Sequence, residues 1–421
     1  MQKNSKQTLW TKNYTLLTVA TVFGAAGAVA GNFALSFLVF DETGSTLAAA
    51  FALAIQFIPN IFIPLLAGPW LDRLPRKPFL VLGDAANGIL YALAGLFLLR
   101  YPFSYMGYLC FMLILACLGS FDALVYNSIF PNLIPAGMEH KGYTVSSMLY
   151  PVVSVVMAPM AAVMMEHLGV GGILLVQGGL SLVAAAIESN ISIREENRME
   201  NNTFSFHLWW QDLKDGLAYL KQEHGIATIF LHNAVTSGVM QGTYPLLIAF
   251  FRTAPGFSAS MFALFSVMEF MGRSLGGMFH YRIKIPKEKQ YGFVFLIQQT
   301  YGIMDLCLLW ISYPLMLVNR FICGFLGINS ATTREAAIQC YIPDTMRARL
   351  NAFQNIFFGV ICFVLTLGVG LLGEIFPYRV SISLCAFADL IFGWLTIWRA
   401  RRDIYPIYLS QSTESAAETE S

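Results

Sequence analysis

The 421-residue sequence predicts an all-α polytopic membrane protein, with twelve transmembrane helices in two pseudo-symmetric six-helix bundles. Three observations carry that expectation. Apolar residues make up 56% of the chain and charged residues only 12%, with a mean hydropathy of +0.60. A soluble domain carries about 25% charged residues, so lipid is the partner that this composition implies. Apolar runs long enough to cross a bilayer core, about 20 residues each, recur twelve times. Finally, features of the first half return 208 residues later in the second.

The first six runs cover residues 13–40, 47–68, 79–99, 106–130, 143–167 and 170–191. The second six cover 225–251, 261–280, 290–312, 314–341, 350–375 and 378–398. Pro59, Pro64, Pro151, Pro159 and Pro245 fall inside them and are expected to kink their helices. At the 208-residue offset Gly68 meets Gly276, Pro78 meets Pro286, Pro135 meets Pro343, Lys141 meets Arg349 and Glu166 meets Glu374. Such matches at loops and helix ends are what two parallel six-helix halves require.

Lysine and arginine set the expected orientation. Twenty of the 26 lie in the N-terminus, alternate loops, the central link and the C-terminal tail. Arg100, Arg252 and Arg379 lie on the opposite side, and Arg273, Arg320 and Arg334 lie within helices. Both termini are therefore expected in the cytoplasm. The domains expected are an N-terminal bundle over 1–191, a cytoplasmic link over 192–224, a C-terminal bundle over 225–398 and a cytoplasmic tail over 399–421. Within the link, Phe206, Trp209, Trp210, Leu213, Leu217 and Leu220 recur at helical spacing among polar residues. They predict an amphipathic helix lying at the membrane interface. The tail turns basic at Arg399 and ends rich in Ser, Thr and Glu, a composition that predicts disorder.

Several function classes are excluded by composition. A net charge of +1 and the lack of a basic patch with interleaved aromatics argue against nucleic-acid binding. The seven cysteines lie inside apolar runs with no metal spacing and no readable disulfide framework. No metal, cofactor or nucleotide-binding segment is expected. Lys3, Lys6 and Lys12 precede an uncharged run far longer than a signal peptide's apolar core of about 7–15 residues. That run predicts a retained helix.

The stretch from Gly68 to Phe79 joins the second and third runs through a short basic hairpin. Its Gly68, Asp72, Arg73, Arg76 and Lys77 follow the order Gly-x-x-x-Asp-Arg-x-x-Arg-Lys. This resembles the loop between helices two and three of the major facilitator transporters, departing at Pro75, where that family usually has a second glycine. Thr43-Gly44-Ser45, Pro59, Asp84 and the central run Asp212 to Leu220 look like the branch of macrolide-efflux proteins and enterobactin exporters. Ala158-Pro159, followed by Ala161 and Ala162, stands nearest to the helix-five glycine–proline motif of that superfamily's antiporters. The resemblance implies a monomeric, proton-coupled secondary transporter in the cell membrane. It would export amphipathic or hydrophobic small molecules by alternating access, with the loop at Gly68–Lys77 as a gate. An uptake permease for a small metabolite, a polytopic membrane enzyme and a receptor without flux are the alternatives. Four of the six histidines (His140, His207, His224 and His280) lie in loops or at helix ends, and no nucleophile–base set is readable, which argues against the enzyme.

Ionisable groups inside membrane helices are costly and mark functional candidates. Asp122 in the fourth run reads as a proton carrier, the leading coupling candidate with Glu269 and Asp305 as reserves, or as a structural partner of Arg73 or Arg76. Glu269 and Arg273 sit four apart, share a helix face and can pair. Asp305 and Arg320 fall at a depth similar to Glu269, so a charged cluster in the second half is expected, serving either salt bridging or proton coupling. Asp84 and Asp389 read as structural. Asn32, Tyr126, His232, Asn233, Gln241, Tyr244 and Asn319 are the polar candidates for contact with substrate, or for hydrogen bonds between helices.

Overall fold

The computed structural model describes residues 8–71, 75–135, 138–192, 206–282 and 285–409, and every regular element among them is helical. Ten helical segments are long and apolar enough to cross a membrane. One of these is really two. Helix α6, Glu139–Ser189, breaks at Gly169, whose φ of 66° and ψ of 176° are not helical. A further span, α9, Ala259–Arg282, falls short on hydropathy because it carries Glu269 and Arg273. With these two the expected twelve spans are accounted for.

The second span departs from the expected single helix over 47–68. It consists of α2, Thr46–Ala54, and α3, Phe57–Leu71, interrupted at Ile55 and Gln56. Pro59 is the cause. Proline lacks an N–H for the carbonyl four residues back, and its ring crowds that carbonyl, which here belongs to Ile55. The Gln56 side chain folds back and donates from Nε2 to the Ala52 carbonyl at 3.1 Å.

The chain forms two units, Met1–Gly44 with Ile58–Thr203, and Ser45–Phe57 with Phe204–Ser421. In the first unit, α1 (Lys12–Thr43) packs on α6, and α6 packs on α4 (Arg76–Arg100), with α5 (Tyr105–Leu133) alongside. The α4–α6 crossing is built on glycine. A Cβ on Gly178 would come within 2.7 Å of the Gly88 carbonyl oxygen, and one on Gly95 within 2.7 Å of the Gly171 oxygen. Small residues at such crossings let membrane helices approach closely, where packing rather than the hydrophobic effect holds them. At one end of the unit, Tyr14, Leu17, Leu80, Val125, Ile129, Leu133 and Ile191 form an apolar core.

The second unit holds α2, α7 (Phe206–Gln222), α8 (His224–Thr253), α9, α10 (Lys287–Cys307), α11 (Tyr313–Tyr341), α12 (Asp344–Ile375), α13 (Tyr378–Gly393) and α14 (Arg401–Leu409). A π-helical turn, Trp394–Trp398, continues α13. Helix α7, expected to lie on the membrane interface, spends part of its surface on protein instead. Leu220 is buried with Ile226, Phe230, Ile338 and Leu350, and Asp215 pairs with Arg349 at 3.2 Å. The beginning of the tail is ordered as α14, which buries Ile404, Ile407 and Tyr408 in that same core. The Ser/Thr/Glu-rich end lies outside the described residues.

Helix α2 is fastened to α12 by one side chain. A Glu374 carboxylate oxygen accepts from Ser45 Oγ at 2.7 Å, Leu47 N at 3.0 Å and Thr46 Oγ1 at 3.2 Å. Thr46 Oγ1 also lies 3.0 Å from the Gly370 carbonyl, and Gly370 and Gly373 leave room for Ala50 and Thr46. The carboxylate therefore caps the first turn of α2, where helix amides lack partners. Glu374→Ala is expected to weaken this turn by about 0.5–2 kcal/mol, on the scale of a lost N-cap. Amide hydrogen exchange at residues 47–50 checks this, and unchanged protection there would refute it.

Candidate functional site

A cavity of about 130 Å³ lies inside the second unit, walled by α8, α9, α10, α11 and α13. Glu269, Asp305, Asp389 and Arg320 face it, together with Thr236, Ser266, Tyr244 and Tyr301. Phe262, Phe265, Met240, Leu247 and Ile382 supply an apolar remainder. The α9–α11 crossing brings Glu269 and Arg320 together. Its seam consists of Gly272, Gly276 and Gly324: a Cβ on Gly272 would collide with the Phe321 carbonyl, and one on Gly324 with the Glu269 carbonyl.

The charges in this wall are paired, with one exception. Arg273 Nη2 lies 2.8 Å from Glu269 Oε1, as the four-residue spacing allows. Arg320 pairs with Asp305 across α10 and α11 and also donates to Asn319 Oδ1 at 3.1 Å. The same guanidinium sits 5.4 Å from the Phe265 ring centroid and 5.8 Å from that of Tyr301, both faces that attract a cation. Arg320 Nε is buried with no hydrogen-bond partner among the described residues. Asp389 has no cation beside it among the described residues; its Oδ1 accepts the Thr236 hydroxyl proton at 2.7 Å. The cavity wall thus holds three carboxylates and one guanidinium group, Arg320; Arg273, which pairs with Glu269, lies outside the wall and is exposed.

The other predicted residues separate into groups. Tyr244 lies in the cavity wall, its ring edge-on to Phe262 at 5.7 Å. Asn319 is buried behind the wall and donates to the Met304 carbonyl at 2.8 Å, positioning Arg320. His232 is buried at 3% exposure and stacks on Phe392. Asn233 is half-buried and Gln241 exposed, and neither lines this cavity. In the first unit, Asn32 is exposed, while Tyr126 meets Ser146 Oγ at 3.3 Å and stacks on Phe130.

Asp122 on α5 keeps Oδ1 buried and without a hydrogen bond among the described residues, against Gly83 of α4. Asp84 on α4 and Glu188 near the end of α6 are close enough to feel its charge, and Glu188 is only 3% exposed. Of the loop, Gly68 lies in α3 and Lys77 in the first turn of α4, and Arg76 donates to the Ser128 carbonyl at 3.0 Å. Asp72 and Arg73 lie outside the described residues.

Sequence reasoning missed Thr236, Tyr301 and Glu188, and it read Asp389 as a supporting residue although it stands in the cavity wall. Thr236 follows His232 by four residues and so shares its helix face; that spacing was the available signal. The meeting of Thr236 with Asp389 spans 153 residues and leaves no local trace.

The sequence matches the Major Facilitator Superfamily over residues 16–304, and the chain belongs to that family. Its structure is similar to that of the nucleoside transporter NupG, at 13% identity over 91% of this chain and 98% of that one, with a TM-score of 0.68. A bacterial homologue of the iron transporter ferroportin in an inward-facing state gives 14%, 96%, 99% and 0.69 in the same order. A POT family transporter in complex with 5-aminolevulinic acid gives 12%, 93%, 96% and 0.69. The TM-scores and coverage show a shared fold and, at these identities, no more than that. No curated protein matches the chain by sequence.

Proposed function

We propose that this chain is a proton-coupled exporter of amphipathic or hydrophobic small molecules, using the cavity of the second unit as its binding site. The observation that carries the reading is the charge balance of that cavity. Three carboxylates line it with one guanidinium, Arg320, among Phe262, Phe265, Tyr244 and Tyr301; Arg273 pairs with Glu269 from outside the wall, and Asp389 is left without a cation among the described residues. One more positive charge completes the balance. A proton can supply it, and so can the charged end of an amphipathic cation whose body packs on the aromatic wall. The two then compete for one carboxylate, which is the logic of exchange: a proton arriving from one side displaces the molecule carried from the other.

The export direction rests on the resemblance of the Gly68–Lys77 loop and its surroundings to the efflux branch. In this reading the protein works as a monomer in the cell membrane with both termini cytoplasmic. Bundles over 1–191 and 225–398 are joined by the link over 192–224, and the tail over 399–421 follows. The loop acts as the cytoplasmic gate, so Asp72→Asn protein that inserts normally is expected to turn over slowly.

Proteoliposomes loaded with ethidium, and then with a panel of neutral and anionic compounds, test the reading with and without a proton gradient. Gradient-driven movement of ethidium that is lost in Asp389→Asn is the expected result. Asp122→Asn separates two sites for coupling. If uphill movement survives Asp389→Asn, Glu269→Gln and Asp305→Asn but is abolished by Asp122→Asn, coupling belongs to the first unit, with Asp84 and Glu188. If no compound responds to the gradient, the proton-coupled reading fails.

A further inference from the structure

A second cavity, of about 10 Å³, lies in the second unit where α14 packs. Arg334 of α11, Gln298 of α10, His232 of α8, and Ile404 and Tyr408 of α14 line it. It has room for roughly one water-sized occupant. Arg334 is part-buried there, beside Ile229, Val294 and Phe295. Among the described residues no carboxylate lines this cavity, and Arg334 makes neither an ion pair nor a hydrogen bond. A guanidinium cannot be deprotonated in a protein, and a charge taken out of water without a partner is costly.

Two neighbours are candidates for its counter-charge, and neither serves. Glu335, next in the chain, is near enough for its charge to act on Arg334. Its carboxylate is exposed, does not line the cavity and accepts from Gln339 Nε2 at 2.9 Å. Tyr408 lies outside the spans, and burial pushes its phenol up to about 12 although the charge of Arg334 opposes this. It therefore stays a neutral hydroxyl, and its O–H has no hydrogen-bond partner among the described residues. Thr396 gives its proton to the Phe392 carbonyl at 2.6 Å and so accepts from His232 Nδ1 at 3.1 Å. The neutral ring then accepts one amide hydrogen of Gln298 at Nε2, and the second has no partner among the described residues. The cavity thus gathers a guanidinium, a phenol and an amide, all with hydrogens to give and none with a negative charge.

We propose that Arg334, Tyr408 and Gln298 form a binding site for a single monatomic anion of chloride size, held between α11 and α14. The guanidinium supplies the charge, and the phenol and amide supply further donors. Sulfate and phosphate, with four oxygens each, do not fit a space for roughly one water. A water molecule fits, but it brings no charge to set against Arg334. Tyr408 and Ile404 belong to α14, so the site is complete only when that helix is seated. By linkage, an anion that binds only the seated form holds α14 in place.

Full-length protein in detergent is melted while chloride replaces gluconate at constant ionic strength. A melting temperature that rises saturably with chloride, and likewise with bromide but not with sulfate, is the expected result. Chloride should also slow amide hydrogen exchange at Ile404, Ile407 and Tyr408 of α14. Tyr408→Phe keeps the ring and removes the O–H. It should raise the half-saturating chloride concentration about tenfold or more, as for a hydrogen bond to a charged group. Arg334→Gln removes the uncompensated charge, so it should melt no lower than wild type in gluconate and lose the chloride response. A wild-type melting temperature indifferent to chloride overturns the proposal. So does an unchanged half-saturating concentration in Tyr408→Phe, which would put the anion elsewhere, and so does an equal rise with sulfate. If Arg334→Gln does not fold, the Tyr408→Phe comparison still decides. None of these readouts involves flux, so the anion site stands or falls independently of proton-coupled export.

Discussion

Arg320→Met is expected to be the most damaging single change in the second unit, costing about 3–5 kcal/mol of stability. Breaking a buried ion pair leaves the surviving charge without compensation, which costs more than the pair itself contributes. Arg320 is 5% exposed, and its guanidinium bridges Asp305 and Asn319 while lying between the Phe265 and Tyr301 rings. Methionine fills much of the same volume, so charge dominates the comparison. Removing the other partner too, in Asp305→Asn/Arg320→Met, should recover a large part of the loss. Thermal unfolding of purified protein in one detergent compares the three. Equal melting of Arg320→Met and wild type would show that the pair is not structurally required.

Gly272→Ala is expected to cost about 1–3 kcal/mol, the scale of overpacking a filled core, although alanine is the better helix former. Its new methyl would meet the Phe321 carbonyl, and backbone cannot step aside as a side-chain tip can. Gly277, on the same helix, has nothing within 4 Å of an added Cβ. Gly277→Ala should therefore be neutral or slightly stabilising. The pair isolates close approach from helix propensity, since both changes are glycine to alanine in α9. Gly272→Ala should also impair transport, because the seam sets where Glu269 stands relative to Arg320. If both variants melt alike, the seam does not hold α9 on α11.

Much of the fold was legible because lipid imposes a strong rule: a spanning segment must be long, apolar and helical. Ten segments follow from that alone, and Gly169 divides one of them into two. Span α9 was legible despite Glu269 and Arg273, because their four-residue spacing let them be read as a pair. The breaks were harder. Pro59 announced a kink, but that it interrupts the helix at Ile55 and Gln56 rather than bending it is not written in the proline alone. Helix α14 was missed because Ile404, Ile407 and Tyr408 are apolar only in a short stretch among arginines, and their burial depends on α8, α10 and α11. In the charged cavity, Glu269 with Arg273 is a local relation, and Asp305 with Arg320 could be matched by depth. Thr236 with Asp389, and Asp84 with Asp122 and Glu188, depend on how helices rotate about their axes, which no single span records.

Residues 45–57 pack with the second unit, yet they leave the first unit at Gly44 and re-enter it at Ile58. Helix α2 is therefore tethered at both ends by chain that belongs to the other unit. A segment held this way behaves like a ligand on a short leash. Its effective concentration at the α12 surface is in the millimolar range or above, as for short linkers. A few hydrogen bonds to Glu374, each worth about 1 kcal/mol, then suffice to keep α2 seated for most of the time. They are also weak enough to be broken at low energetic cost. The buried Thr46, Ala50, Ala52 and Ala54 add packing to these bonds. Tethering fixes the register of these contacts, because whenever one is lost the segment meets the same partner again.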